Sequence, residues 1–285
     1  MPRTSPAAER ECIAWIRSLP FLGVHVACLG AFWTGVSWNA ILLCGGLYVI
    51  RMFGITAGYH RYFAHRSYRT SRVVQFVLAW IACSAVQKGP LWWAGHHRRH
   101  HAHSDEAADV HSPLQRGFWW SHVGWFLCTR HDDTDLATIK DFAKYPELRW
   151  MNRFHAIPGI ALGIGCYLAM GWTGMVWGFF VSTMLLYHAT FGINSLAHMF
   201  GRARYKTEDG SRNSLLLALI TLGEGWHNNH HHYASSTRQG FFWWEIDVSF
   251  YTLKVLSLVG LVWGLRTPPP AILALNAFEE RRASR

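Results

Sequence analysis

Two long stretches of this chain carry no Asp, Glu, Lys or Arg, and they limit what it can fold into more than any other feature. One lies between Arg17 and Arg51; the other covers the 48 residues from Phe154 to Gly201. At about 1.5 Å of rise per residue the second is roughly 70 Å of helix, enough to cross a ~30 Å hydrocarbon core twice. The first, continued to Gly58, has room for two more crossings. Turns are expected near Gly35–Trp38 and at Gly171-Trp172-Thr173-Gly174. The expectation is an all-α integral membrane protein with four transmembrane helices in two hairpins, about 20–58 and 154–200.

Composition supports this. The chain is 51% hydrophobic, only 15% charged and holds 16 Trp, against the quarter of charged residues usual in soluble domains. The formal charge of +10 suits an anionic membrane face or an acidic, phosphate-bearing substrate carrier, and calls for no nucleic acid partner. Lys and Arg gather in the termini, in the loop after the first hairpin and in the segment after the second. An even number of crossings puts all of these on one face, which the excess of positive charge marks as cytoplasmic. Both termini and a helical cap, about 59–153 and 201–285, are therefore expected there, with 1–285 forming one domain. Val73–Gln87 and Ile246–Leu265 are apolar but short or interrupted, and read as interfacial or protein-buried helices. Six scattered cysteines, with no Cys-x-x-Cys pair, imply neither a disulfide framework nor a thiolate metal site. The first residues lack the pattern of a cleaved secretory signal. A bacterial inner membrane is the expected location.

Three histidine-rich elements follow the apolar stretches. His97-Arg98-Arg99-His100-His101 and His227-Asn228-Asn229-His230-His231 share one spacing, and His60-Arg61-Tyr62-Phe63-Ala64-His65 comes first. Imidazoles at i, i+3 and i+4 share an arc of about 100° on a helix, wide enough for neighbours to serve two ions. His60 and His65 would sit about 140° apart on an ideal α-helix, so one must reach round or the helix must break between them. His198 follows Asn194 by one turn, which pairs a candidate ligand with an amide able to hold a metal-bound water. Solvent-facing histidines would account for one such run, but not for two copies and a third element at a membrane exit. His111 with Asp109 is a candidate pair for fixing imidazole tautomers, and Glu224 is another. His25, His122, His131, His155 and His188 read as interfacial or core residues, and His96, His103 and His232 fall off the repeat. Spacing alone permits iron, zinc or copper.

The segments 58–65, 97–101, 194–198 and 223–231, with Arg116-Gly117-Phe118-Trp119-Trp120-Ser121-His122-Val123-Gly124-Trp125 and Ile55-Thr56-Ala57-Gly58, resemble the membrane fatty-acyl desaturases, specifically the stearoyl-CoA (Δ9) branch. The resemblance runs from about Tyr48 to Leu265. It implies oxygen-dependent desaturation of a saturated acyl chain at two Fe, with O2 as co-substrate. The irons would be held by His60, His65, His97, His100, His101, His198, His227, His230 and His231, with a water near Asn194.

Two positions depart from the acyl-CoA enzymes. An Arg-Asp pair before the second box is Gly95-His96 here, and a later basic pair is reduced to Thr129-Arg130. Acyl-CoA, an acyl carrier protein or an acyl-lipid therefore all stand as substrate. The sequence has no His-Pro-Gly-Gly haem motif, so a separate ferredoxin, cytochrome b5 or reductase is expected to supply electrons. An apolar tunnel must hold one pair of methylenes beside the metal. Trp92, Trp93, Trp119, Trp120 and Trp226 are candidates to line it; Arg69, Arg72, Arg116 and Arg130 are candidates to hold the anionic head. Hydroxylation, acetylenic or terminal desaturation at the same centre are the nearest alternatives. A metal transporter is disfavoured, since its ligands would lie at mid-membrane.

Overall fold

The computed structural model describes residues 13–275; Cys12 and the charged residues at both ends lie outside the described residues. The chain is helical almost throughout. Among the described residues three helices are long and apolar enough to cross a membrane: α1 (Trp15–Thr34), α2 (Trp38–Ala64) and a third stretch, Ile157–His198. Their outward faces are apolar: Ile16, Phe32 and Trp33 are 83%, 90% and 72% exposed. Such a surface is stable only where hydrocarbon covers it.

α1 and α2 meet at Gly35–Ser37. Gly35 takes φ +67°, and the Ser37 hydroxyl accepts from Ala40 N at 3.2 Å to start α2. The expected first turn is thus where the chain reverses, although the helix begins earlier than expected, at Trp15. In the third stretch Met170 (φ −143°) and Gly171 (φ +58°) leave helical geometry. The limbs on either side fold back on each other with little room between them: a Cβ on Gly174 would lie 2.1 Å from Cys166 O. The second expected turn is therefore also observed.

The two limbs of the third stretch are α6 and α7 (157–169 and 172–198), and the cap is built from α3 (Arg72–Cys83), α4 (Pro90–Ala102), α5 (Pro146–Arg153), α8 (Leu215–Ile220), α9 (His227–His232) and α10 (Val248–Leu258). α3 and α10 match the two short apolar segments noted in the sequence. α3 buries Gln75, Leu78, Ala79, Ala82 and Cys83 and leaves Val73 and Val77 exposed. A two-residue antiparallel pairing, Arg69 with Trp263 and Thr70 with Val262, ties its start to the chain after α10.

Beneath the histidines lies a core of Met52, Phe63, Leu78, Leu91, Leu148, Met151 and Leu253. α4, which carries the second box, has no capping side chain of its own because Gly89 stands at its N-cap. Asn152 of α5 replaces it: Oδ1 accepts from Leu91 N at 3.1 Å and Trp92 N at 2.9 Å, satisfying two of the orphan donors of that helix.

Gly174→Ala is expected to lower the thermal midpoint of the detergent-solubilised protein by several degrees, as overpacking typically costs about 1–3 kcal/mol. Gly165→Ala, with nothing within 4 Å of the added carbon, is expected to leave it unchanged. Differential scanning fluorimetry of the two variants checks this.

Candidate metal centre

His60 lies in the last part of α2, Gly54–Ala64, which is wound as a π-helix; His65 N closes onto His60 O at 3.1 Å. A helix with i→i+5 bonds takes about 4.4 residues per turn, so residues five apart come to within roughly 50°. The change of winding answers the angular problem posed by the His60–His65 spacing. This segment packs closely on α3, where a Cβ at Gly54 would lie 2.8 Å from Ala82 N.

Nine imidazoles gather in two groups. His60, His65, His97, His101 and His230 form one, and His100, His198, His227 and His231 form the other, with nitrogens in each group within 4.8 Å of one another. α4 and α9 each feed both groups. Nε2 atoms face each other at 3.0 Å (His60 and His230), 2.9 Å (His65 and His97), 2.9 Å (His101 and His230) and 3.0 Å (His198 and His227). Two metal–imidazole bonds of about 2.1 Å meeting at a right angle separate their nitrogens by about 3.0 Å. The donor set therefore fits a cation in each group. Five nitrogens in one group exceed the four that a tetrahedral zinc site uses.

The far sides of the rings show why the lone pairs point inward. Nδ1 of His100 bonds Asp109 at 3.0 Å, His198 bonds Asp105 at 2.8 Å, His231 bonds Asp209 at 2.5 Å, and His60 bonds Glu224. Each carboxylate accepts a hydrogen bond from Nδ1–H, which keeps the proton on that nitrogen and leaves Nε2 bare. The His231 Nε2 is buried with no protein partner, as a nitrogen reserved for a cation would be. Burial pushes these carboxylates up, but bonds from His100 and His231 hold Asp109 and Asp209 well below the usual range. Burial, aided by neighbouring imidazoles, holds His65, His97, His101, His227 and His230 far below the ordinary histidine value. All five imidazoles are therefore neutral at pH 7.

A second layer locks this one. Arg61, fully buried, donates to Glu224 Oε1 (2.9 and 3.1 Å), Asp247 Oδ2 (3.1 Å) and Thr237 O (2.8 Å). Within the third box, Asn228 Oδ1 accepts from Arg204 N and Tyr205 N, both at 2.7 Å, and Asn229 Nδ2 donates to Glu245 at 2.8 Å. Asp105, Asp209, Arg61 and the two asparagines were not singled out in the sequence. Of the two carboxylates that were passed over, Asp105 follows His101 by one turn, a local signal; Asp209 arrives through tertiary structure alone. His111 does lie beside this site, its ring 4.3 Å from that of His100.

A cavity of about 230 Å³ reaches the histidines and is lined by Trp92, Trp93, Trp125, Phe126, Tyr187 and Phe191 among others. A second, of about 30 Å³, shares Trp93, His97, Thr190 and Asn194 with it. Trp119, Trp120 and Trp226 line neither; Trp119 is 74% exposed and Trp226 Nε1 bonds Ile246 O. Arg69, Arg72, Arg116 and Arg130 also lie off the walls. Arg72 pairs with Glu147, and the Arg116 guanidinium stacks 3.2 Å from the Trp120 ring. The cations on the cavity wall are Arg17 and Lys88, both bound to Asp132.

Residues 13–256 match the family model described as "Fatty acid desaturase". The chain belongs to the fatty acid desaturase family. It is 38% identical to an sn-1 stearoyl-lipid 9-desaturase of Anabaena variabilis over 92% of this chain and 97% of that one. It is 35% identical to an sn-2 palmitoyl-lipid 9-desaturase of Nostoc sp. (90% and 92%) and 36% identical to an acyl-CoA C20 Delta5-desaturase of Anemone leveillei (92% and 88%). This desaturase is thus a membrane oxidoreductase that acts on fatty acyl chains, with histidine clusters able to hold metal.

Asp209→Asn is expected to weaken metal retention by about 10–100-fold, the usual cost of losing a carboxylate behind a ligating histidine. Competition with a chelator, read by elemental analysis, measures it. Glu147→Gln, which touches only the exposed Arg72, serves as the control.

Proposed function

We propose that this enzyme uses a di-iron centre and O2 to remove two hydrogens from a saturated acyl chain attached to a membrane lipid, at Δ9. The observation that carries the reading is the pair of nitrogen-only groups, nine imidazoles in all, which an apolar cavity reaches at His97. His60, His65, His97, His101 and His230 hold one iron, and His100, His198, His227 and His231 the other. When bound, the irons and O2 supply an oxidant strong enough for an unactivated CH2, which acid–base side chains cannot provide.

The protein contributes position and dryness. Trp92, Trp93, Trp125 and Phe191 exclude water and confine the chain. The Asn194 carboxamide, on the wall of both cavities, holds a water beside the histidines. Asp105, Asp109, Asp209 and Glu224 keep the Nδ1 protons in place.

The mouth favours a lipid-linked chain over acyl-CoA. Arg17 and Lys88 are both committed to Asp132, which leaves a single net positive charge where CoA would bring several phosphate charges. Arg17 also lies in the first turn of the membrane helix α1, so the opening sits at the bilayer surface. The relatives that act on stearoyl- and palmitoyl-lipid support the same choice. The two limbs of the third apolar stretch make four crossings with α1 and α2. The cap, as part of a single 1–285 unit, faces the cytoplasm of a bacterial inner membrane, where a separate one-electron carrier of ferredoxin or cytochrome b5 type reduces the centre.

His100→Ala and His230→Ala are expected to abolish both bound iron and turnover while the protein still inserts; unchanged iron content would remove them from the ligand set. Asn194→Ala is expected to cut turnover with iron largely retained. Expression in a host without its own desaturase tests the reaction. Mass analysis of host lipids should show loss of two hydrogens and no gain of oxygen. With lipid synthesis blocked, pre-labelled phospholipid should still be desaturated; an acyl-CoA enzyme would leave it untouched.

A further inference from the structure

The segment joining α3 to α4 is held in a shape its residues resist. Val86 has φ +58° and Lys88 φ +66°; for a β-branched residue such a value is a genuine outlier, and outliers of this kind persist only where surrounding structure enforces them. Three side chains from α2 and α7 grip every second carbonyl. Arg51 Nη1 donates to Ser84 O at 3.3 Å, Tyr187 Oη to Val86 O at 3.0 Å, and Tyr59 Oη to Lys88 O at 2.7 Å. Between them Gln87 Nε2 donates to Thr190 Oγ1 at 3.2 Å.

Arg51 is the most unusual of the three. It is 1% exposed within the apolar part of α2, and its remaining bonds go to Leu47 O (3.1 Å), Thr183 Oγ1 (2.7 Å) and Ser182 Oγ. All of these partners are neutral. An arginine inside a membrane span is costly and marks a task; here its visible work is to hold the Ser84 end of the strained segment.

Val86, Gln87 and Lys88 stand consecutively on the wall of the large cavity. Lys88 is at the mouth with Asp132, and Gln87 is tied to Thr190, which lines both cavities beside Asn194. The segment thus spans from the head-group end to the histidines. An alkyl chain offers no polar group by which to count carbons, so the distance from its anchored head is the available ruler. A displacement of about 1 Å is enough to present a different methylene.

We propose that the clamped segment Ser84–Lys88 sets the position of the double bond, and that Arg51, Tyr187 and Tyr59 are positioning residues acting through it. This rests on the desaturase reading of the site.

The test is expression of wild type, Arg51→Gln and Tyr187→Phe in a host without its own desaturase, with double bonds located by mass spectrometry of derivatised acyl esters. Wild type is expected to give one position. Each variant is expected to raise the share of neighbouring positional isomers at least tenfold. A purely structural role would lower the total monoene without changing the isomer ratio, and that result overturns the proposal. Tyr48→Phe, whose hydroxyl bonds Ile220 O away from the cavity, should keep the wild-type ratio; a spread there as large as in the other variants also overturns it. If Arg51→Gln and Tyr187→Phe fail to accumulate, Val86→Gly decides, since glycine accepts the positive φ while freeing the wall. It should accumulate normally and spread the isomers; an unaltered ratio refutes the idea. A wild-type chain that makes no monoene defeats the desaturase reading instead.

Discussion

Nine imidazoles packed this closely need each ring proton assigned to one nitrogen. A mixture of tautomers would set N–H against N–H inside a dry site, and a protonated ring there would be costlier still. The bonds from Nδ1 to Asp105, Asp109, Asp209 and Glu224 meet that requirement for four of the rings. Much of the cap can be understood as scaffolding for those carboxylates. Arg61, itself paired with Asp247, steadies Glu224, Gly210 N and Ser112 Oγ bind Asp105, and Ser211 N binds Asp209.

The same requirement explains why the site lies where it does. The apolar helices have no groups to satisfy such a polar shell, and hydrocarbon supplies no water to do it for them. The clustered imidazoles therefore sit at helix ends and beyond, at His65, His198 and on α4 and α9. The cavity beside them stays apolar along Trp92, Trp125 and Phe191. Polar order on one side and an oily passage on the other meet at Asn194 and Thr190.

How much of this can be read from the chain depends on the range of the interaction. Helical repeats are local, so the shared spacing of the second and third boxes, and the turns near Gly35 and Gly171, are visible in the letters. The winding of Gly54–Ala64 is not: it is a shift in hydrogen-bond register, and composition does not record register. Asp209 and Arg61 acquire their parts through contacts with residues 22 and 163 positions away, and nothing beside them announces it. Tryptophans and arginines are legible only as a class. Trp92 and Trp119 look alike in sequence, yet one lines the cavity and the other is mostly exposed.

α4 and α9 each contribute to both nitrogen groups, with His97 and His101 facing one and His100 the other, His230 facing one and His227 and His231 the other. Neither helix can shift to suit a single occupant without dragging donors away from its neighbour. Any movement of α4 or α9 is therefore felt in both nitrogen groups at once.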